Sequence, residues 1–190
     1  MTKAEQREKI GIALAALTAG RRAEKSARIR AEIAKELARA SAVMAFVPTD
    51  REPDIAPLFV CRAAAYPRTG PDGEMEAVVP SAWGTGRFGI AEPAEGRTVP
   101  PEQLDLVLVP LTAFDAENRR LGRGGGYYDG YLKRCVNARK VGVAFAEQKL
   151  DEVVADEYDV RLDAVIYALF KQEAGKFQPP VVYDSSIFLT

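Results

Sequence analysis

The sequence predicts an α/β fold in which helices pack on a largely parallel sheet. Short apolar runs typical of buried strands alternate with segments of helical periodicity along most of the 190 residues. Strands that alternate with helices are joined by crossover connections and therefore pair in parallel. We expect residues 1–170 to form one domain and residues 171–190 to form a C-terminal extension outside the main core.

The first 40 residues predict two basic amphipathic helices, over residues 3–18 and 22–40. Their apolar residues recur at intervals of three and four: Ile10, Leu14, Leu17, Ile29, Ile33 and Leu37. This region has ten Lys and Arg against five Glu, so its formal charge is +5 and that of the remaining chain is −6. A basic helical face suits the phosphates of a small molecule or of a nucleic acid, and a plain solvated surface is the alternative.

The other elements follow as short runs separated by turns. Strand-like apolar runs occur at residues 42–47, 61–66, 75–79, 104–110, 140–145 and 163–167. Short helices are predicted at residues 53–60, where Pro53 suits a first turn, and at residues 127–136. Residues 80–103 are rich in Gly, Pro and Glu without a regular period, and they predict a long loop.

The composition excludes several kinds of catalytic and metal site. The chain contains no histidine, which removes Ser-His-Asp and Cys-His catalysis and histidine-ligated zinc. Cys61 and Cys135 lie far apart and indicate no disulfide framework. The sequence shows neither a membrane-spanning apolar run nor a secretory signal, so we expect a cytoplasmic protein. Any hard metal ion must be held by carboxylates, as magnesium is.

Residues 104–132 carry the chemistry that the sequence indicates, because they combine a strand, a glycine-rich turn and a helix. Four glycines let the turn approach a ligand closely: Gly122, Gly124, Gly125 and Gly126. The helix that follows offers free N–H groups to an anion. Three arginines beside the turn can each bind phosphate oxygens through two donors: Arg119, Arg120 and Arg123. The pattern predicts an anion site, and an ordinary glycine turn is the alternative.

This turn matches neither of two common nucleotide-binding fingerprints. It lacks the Gly-Lys-Ser/Thr of a Walker A loop, and Tyr127 stands where the dinucleotide fingerprint ends in glycine. Tyr127 and Tyr128 instead add aromatic surfaces that can stack on a flat heterocycle. Asp129 adds a carboxylate, which can hold magnesium beside a phosphate group.

The run Arg-Leu-Gly-Arg-Gly-Gly-Gly-Tyr-Tyr-Asp at residues 120–129 closely resembles the signature of the 5-formyltetrahydrofolate cyclo-ligase family, also called methenyltetrahydrofolate synthetases. Individually weaker matches follow in the family's order over residues 3–167. They are the Lys3 and Arg7 pair, Pro67-Arg68, Met75-Glu76, residues 89–93, residues 105–110 with Phe114-Asp115, residues 145–148, and Asp159 with residues 163–166.

The resemblance implies a Rossmann-like α/β/α sandwich around a mostly parallel sheet and a ligase of folate one-carbon metabolism. The family couples ATP hydrolysis, with Mg²⁺, to the ring closure of 5-formyltetrahydrofolate to 5,10-methenyltetrahydrofolate. Its proposed route phosphorylates the formyl oxygen, after which N10 attacks the activated carbon and phosphate leaves. Phosphoryl transfer depends mostly on positioning and charge neutralisation, which is compatible with a chain that lacks histidine.

The resemblance also implies a role for each matching residue. ATP would be bound by Lys3, Arg7, Arg120, Gly122, Arg123, Gly124, Gly125, Gly126, Tyr127 and Tyr128. The folate would be contacted by Glu52, Asp54, Phe88, Tyr127 and Tyr128. Arg120, Arg123 and Tyr127 would be catalytic, and Asp129 and Asp159 would hold Mg²⁺. Without the resemblance, Asp54 is equally a first-turn helix residue and Phe88 equally a core ring.

Departures from the family pattern leave rival interpretations open. Leu111-Thr112 replaces the glycine that usually follows the proline of the strand, and Tyr158 stands where many members have His. The main rival is a non-catalytic regulatory member that binds folate or nucleotide. A different enzyme on a related fold, such as a sugar-phosphate isomerase or a CoA-transferase-like protein, is a second.

Nucleic-acid binding through the basic helices is a third rival, but the near-neutral net charge argues against it. We expect instead a small-molecule folate substrate, with or without a polyglutamate tail. We expect no nucleic-acid or membrane partner, and a monomer with a dimer as the alternative.

Overall fold

The structure is a computed structural model that describes residues 1–86, 89–168 and 181–184. In chain order its helices and strands are α1 (Lys3–Ala15), α2 (Ala19–Leu37), β1 (Val43–Met44), β2 (Tyr66–Thr69), β3 (Met75–Thr85), β4 (Ala91–Val99), β5 (Leu106–Pro110), β6 (Ala113–Phe114), β7 (Arg120–Leu121), α3 (Tyr127–Arg134), β8 (Arg139–Phe145), β9 (Ala164–Ala168) and β10 (Val181–Asp184). Short 3-10 helices cover Ala56–Phe59, Pro101–Gln103 and Ala146–Gln148. Within the described part of the chain, no helix has the length and apolar character needed to cross a membrane.

A five-stranded sheet in the order β1-β5-β8-β9-β10 forms the centre of the fold. Its first four strands are parallel, with Leu106 paired to Arg139 and Val141 paired to Ala164. At the other edge β10 runs antiparallel to β9. The predicted mostly parallel sheet is therefore confirmed. Four residues of the predicted C-terminal extension, 181–184, add a strand to this sheet.

Different layers cover the two faces of the central sheet. Successive residues of a strand point to opposite faces, so Leu106 and Leu108 pack with residues of α1 and α2. Val107 and Val109 pack on the other face with residues of α3 and of an antiparallel sheet, β2-β3-β4. The α/β/α sandwich is confirmed with one difference, because this second outer layer combines a helix with a small sheet.

The prediction of a long loop over residues 80–103 is wrong, since most of this segment is strand. β3 extends to Thr85 and pairs antiparallel with β4, with a shift in register between Pro80 and Trp83. β4 exposes most of its side chains and contains Pro93 and Gly96. An exposed strand with these residues has no alternation of apolar and polar positions by which to recognise it.

The N-terminal helices are confirmed, although their ends differ from the prediction. α1 already ends at Ala15, and the Thr18 hydroxyl accepts a hydrogen bond from the Arg21 N–H at 3.3 Å. Thr18 is therefore the N-cap of α2 and does not terminate α1. The strand predicted over residues 61–66 begins only at Tyr66, and the predicted helix over residues 53–60 is a single 3-10 turn, Ala56–Phe59.

Candidate active site

A cleft of about 1140 Å³ opens between α1, the glycine-rich turn and the β2-β3-β4 sheet. It brings together most of the residues that the sequence assigned to the site: Lys3, Arg7, Glu52, Arg120, Gly122, Arg123, Gly124, Gly125, Gly126, Tyr127, Tyr128, Asp129 and Asp159. These residues come from four segments that are far apart in the chain. Their convergence agrees with a single binding site.

One predicted site residue, Asp54, is not brought to the cleft. Asp54 does not belong to its lining, and its Oδ1 accepts the Ala56 N–H at 3.1 Å while Oδ2 lies 3.7 Å from Arg30. Asp54 therefore has a local role just before the 3-10 turn Ala56–Phe59, although it does not lie in a helical first turn as the alternative interpretation expected. Phe88 lies outside the described residues.

The turn between β7 and α3 needs glycine at successive positions. Gly124 and Gly126 have φ angles of 106° and 70°, in the left-handed region that favours glycine. A Cβ on Gly125 would lie 2.8 Å from the Tyr127 ring, so this position has no room for a side chain. The turn leads directly into α3 at Tyr127. It thereby exposes the N-terminal amides of α3, which suit a phosphate group.

Arg120 is buried beside the turn and is held by Asp129. Its Nη2 donates to Asp129 Oδ1 at 2.5 Å, and the same oxygen accepts the Val160 N–H at 3.2 Å. The guanidinium also lies 5.8 Å from the centre of the Tyr128 ring. Arg120 Nε is buried and has no hydrogen-bond partner among the described residues. A buried donor without a partner is costly, so this atom is suited to an anionic ligand.

Arg123 reaches across the cleft to a second carboxylate. Its Nη2 lies 2.6 Å from Glu52 Oε1 and 3.0 Å from the Thr49 hydroxyl. Glu52 is almost fully buried and also accepts hydrogen bonds from Thr49, whereas half of the Arg123 side chain is exposed. Glu52 is thus anchored, and Arg123 is the partner that can move toward a ligand.

Tyr128 presents a second buried polar group to this region. Its hydroxyl has no hydrogen-bond partner among the described residues. Burial raises the pKa of Tyr128 above its ordinary value, and the Glu52 charge raises it further, while Arg120 and Arg123 oppose the shift. Tyr128 therefore remains a neutral hydrogen-bond donor at physiological pH.

α1 contributes the remaining two cations. Arg7 donates from Nε to the Gly122 carbonyl at 2.9 Å, and Lys3 Nζ lies 2.6 Å from Asp159 Oδ2 and 2.9 Å from Asp156 Oδ2. Burial by itself lowers the pKa of Lys3, but its hydrogen bonds to Asp156 and Asp159 outweigh this and raise it. The hydrogen bond from Lys3 correspondingly lowers the pKa of Asp156. Lys3 is therefore fully charged at physiological pH.

The donor set fits a magnesium ion that is shared with phosphate groups. No three potential metal ligands are grouped within the part of the chain that the structure describes. Magnesium needs no such group when phosphates and water complete its shell around one or two carboxylates. The hydrogen bonds within the described residues engage one oxygen each of Asp129 and Asp159. The second oxygen of each carboxylate is available to a cation.

The sequence did not identify several other residues of the cleft. Arg68 and Glu92 occupy matched family positions without an assigned role, and Arg68 pairs with Glu76 across β2 and β3 at 2.7 Å. The family matches at these two positions could have identified Arg68 and Glu92 as residues of the cleft. No motif marks Thr49 or Asp156, which only the folded chain brings to Arg123 and Lys3.

Comparison with known proteins identifies relatives of one kind. The model of the 5-formyltetrahydrofolate cyclo-ligase family matches residues 1–168. The 5-formyltetrahydrofolate cyclo-ligase of Mus musculus is 40% identical over 89 residues, covering 42% of this chain and 44% of the mouse protein. That of Mycoplasma pneumoniae is 45% identical over 73 residues, covering 38% of this chain and 44% of its own length. The chain therefore matches less than half the length of these curated relatives.

Solved structures are similar over a larger part of the chain. The NMR structure of Aquifex aeolicus 5,10-methenyltetrahydrofolate synthetase has a TM-score of 0.78 and 34% identity, and the match covers 88% of this chain and 90% of that one. The 5,10-methenyltetrahydrofolate synthetase of M. pneumoniae has a TM-score of 0.72 and 27% identity, with coverage of 87% and 98%. The likeness thus extends over most of the chain.

Proposed function

The chain belongs to the 5-formyltetrahydrofolate cyclo-ligase family, and from this premise we propose that it is an ATP- and Mg²⁺-dependent ligase. The reaction closes 5-formyltetrahydrofolate to 5,10-methenyltetrahydrofolate and releases ADP and phosphate. One observation carries the proposal beyond family membership. Two cations of α1, Arg120 of β7 and Arg123 of the β7–α3 turn converge on a glycine-rich cleft, although more than 110 residues separate Arg7 from Gly122, which it contacts.

The nucleotide phosphates are assigned to the glycine turn and its four cations. Gly122, Gly124, Gly125 and Gly126 provide close backbone approach, and Lys3, Arg7, Arg120 and Arg123 provide positive charge. Arg120 Nε supports this assignment, because it is a buried donor still without a partner among the described residues. Tyr127 and Tyr128 line the same cleft and offer rings against the two ligands.

Asp129 and Asp159 are the residues proposed to hold the metal ion. Bound there, Mg²⁺ would neutralise the charge of the phosphate oxygens. Asp129 additionally orients Arg120, since the two share a 2.5 Å hydrogen bond. The hydrogen bonds that Asp129 accepts from Arg120 and from the Val160 N–H fix the guanidinium and the carboxylate beside the turn.

Arg120, Arg123 and Tyr127 are proposed to act on the reacting groups. Arg120 and Arg123 would stabilise the charge that develops as the phosphoryl group moves to the formyl oxygen, because positioned cations act most strongly where water is excluded. Arg123 would exchange Glu52 and Thr49 for the phosphoryl oxygens. Tyr127, at the start of α3, would orient the formyl group toward N10.

The β2-β3-β4 side of the cleft is proposed to bind the folate. Glu52 is a buried residue of the cleft lining, and its carboxylate is an acceptor for the N–H groups of a pterin. Phe88 is proposed as a folate contact on the sequence match alone. A monomer is proposed because one chain supplies both sides of the cleft. A cytoplasmic location is also proposed, and the exposed free thiol of Cys61 supports it.

The position of Leu111 favours an enzyme over a non-catalytic binding protein. This residue replaces the family glycine and was the motive for the non-catalytic alternative. Its side chain is only 3% exposed and belongs to the core under the second face of the sheet. Leu111 Cδ2 would lie 2.9 Å from a Cβ at Gly142, so the side chain is directed to β8. Leu111 and Thr112 both line the cleft, but the buried side chain of Leu111 packs with the core.

An assay of the purified protein tests the proposed function. Methenyltetrahydrofolate is followed by its absorbance in mixtures of 5-formyltetrahydrofolate, ATP and Mg²⁺, with controls that omit each component. We expect product only in the complete mixture. Binding of ATP and folate by a folded protein without product would support the non-catalytic alternative. Failure to bind either ligand would overturn the assignment of the cleft.

A further inference from the structure

Carboxylates of the protein itself already neutralise the cationic side of the cleft. Lys3 contacts Asp156 and Asp159, Arg120 contacts Asp129, and Arg123 contacts Glu52. Arg7 donates instead to the Gly122 carbonyl. A nucleotide without a metal ion must therefore compete with these carboxylates for Lys3, Arg120 and Arg123 and also approach their negative charges.

Lys3 differs from the other cations because two carboxylates share its ammonium group. Asp159 is a proposed magnesium ligand, whereas no family match or metal role applies to Asp156. The Asp156 Oδ1 accepts the Tyr158 N–H at 3.0 Å, so its local turn orients Oδ2 toward Lys3. The carboxylate of Asp156 thus reaches the site through Lys3, while its backbone N–H donates to Asp159 Oδ2 at 2.9 Å.

We propose that Asp156 is a positioning residue that makes nucleotide binding depend on the divalent cation. In the structure it holds Lys3 together with Asp159. A cation on the other oxygen of Asp159 would offset the charge of that carboxylate and weaken its ion pair with Lys3, and the ammonium could then turn to a phosphate oxygen. Without the cation, Asp156 and Asp159 both retain Lys3 and repel the triphosphate. This inference rests on the proposed assignment of the cleft to ATP and Mg²⁺.

Binding measurements on Asp156→Asn test the inference without any turnover. Asparagine keeps an oxygen for the Tyr158 N–H but removes the charge that competes for Lys3. The dissociation constant of ATP is measured by calorimetry in EDTA and in excess Mg²⁺ at one fixed ionic strength. We expect the metal-free affinity to rise about two- to fivefold, as the energy of an exposed ion pair implies. The affinity in Mg²⁺ should change by less than about twofold.

Glu157→Gln is the matched control, because Glu157 is an exposed neighbour in the same turn and makes no contact with Lys3 among the described residues. It removes the same charge and should leave the metal-free affinity nearly unchanged. An equal rise in Glu157→Gln would show a general charge effect and overturn the inference. So would an unchanged or weaker metal-free affinity in Asp156→Asn.

The same substitution made in a protein that already carries Lys3→Met establishes whether Asp156 acts through Lys3. In Lys3→Met, the further change Asp156→Asn should no longer raise the metal-free affinity for ATP. A rise that persists in this background would overturn the inference. If the unmodified protein binds no ATP even with Mg²⁺, both this inference and the proposed function are wrong. If it binds ATP with Mg²⁺ but Asp156→Asn has no effect, the inference fails alone.

Discussion

Asp129 accepts a hydrogen bond from Arg120 and is also a proposed metal ligand, so a single substitution can remove the metal-binding role and keep the hydrogen bond. Asp129→Asn keeps an oxygen for Arg120 and for the Val160 N–H. It loses the negative charge that a magnesium ion needs. We expect a folded protein whose kcat falls about 100- to 1000-fold, as when one preorganised charge-stabilising group is removed. The kcat is measured at saturating ATP and Mg²⁺, together with the thermal unfolding curve.

Asp151→Asn is the control for this prediction, since Asp151 is exposed and does not line the cleft. It removes one carboxylate from the chain and should leave kcat close to that of the unmodified protein. Near-normal turnover in a folded Asp129→Asn protein would exclude Asp129 from the metal site.

The two cysteines should differ sharply in reactivity. Cys135 is 0% exposed, and burial raises its pKa to about 11, whereas Cys61 is exposed. Because the native pKa lies above that of an unfolded cysteine, the neutral thiol favours folding at neutral pH, and this contribution is lost as the pH rises toward 11. At pH 8 a disulfide reagent should label one thiol quickly and the second only after unfolding. Rapid labelling of both native thiols would contradict the burial of Cys135.

At the scale of the elements, α1 shows what sequence periodicity can predict. Lys3 and Arg7 are four residues apart and therefore lie on one face, and the structure places both at the cleft. The glycine-rich turn was also predicted from the sequence, and Gly124 and Gly126 do adopt backbone angles that favour glycine. β4 was not visible, since most of its side chains are exposed and carry no apolar alternation. Local patterns thus reveal buried faces and unusual backbone, but not an exposed strand.

Gln6 anchors α1 to the segment that carries Asp156 and Asp159. It is 3% exposed, donates to the Glu152 carbonyl at 2.8 Å and accepts the Val154 N–H at 3.1 Å. Gln6→Leu keeps a similar volume but leaves both backbone groups unpaired. We expect the free energy of unfolding to fall by about 1–3 kcal/mol. Because Lys3 and Arg7 lie on the same helix, the KM for ATP should rise more than kcat falls.

Denaturant unfolding and steady-state kinetics check the prediction for Gln6. Glu8→Gln is the control, since Glu8 is an exposed residue of the same helix. It should change neither the unfolding free energy nor the KM noticeably. A Gln6→Leu protein with reduced stability but an unchanged KM would show that this anchor supports the fold without positioning the cations.

For the molecule as a whole, the cleft depends on contacts that no local pattern contains. Lys3 meets Asp156 across 153 positions of the chain, and Arg123 meets Thr49 across 74. The resemblance to a family supplied Lys3, Arg123 and Asp159, because each occupies a recognisable motif. It did not supply Thr49 or Asp156, whose contribution arises only when the layers of the fold pack together. Their discovery required the three-dimensional structure.

Because the cleft forms only when distant parts of the chain pack together, we expect a bound ligand to stabilise the entire domain. The cleft is lined by residues from Lys3 to Asp159, so the unfolded chain has no equivalent site. MgATP at 100 times its dissociation constant should raise the unfolding free energy by about 2.7 kcal/mol. For a chain of this length the midpoint of thermal unfolding should rise by roughly 5–10 °C. Adenosine with Mg²⁺ at the same ionic strength should produce a much smaller shift, because the glycine turn and the cations recognise phosphates. An equal shift with adenosine, or none with MgATP, would contradict a phosphate-binding cleft.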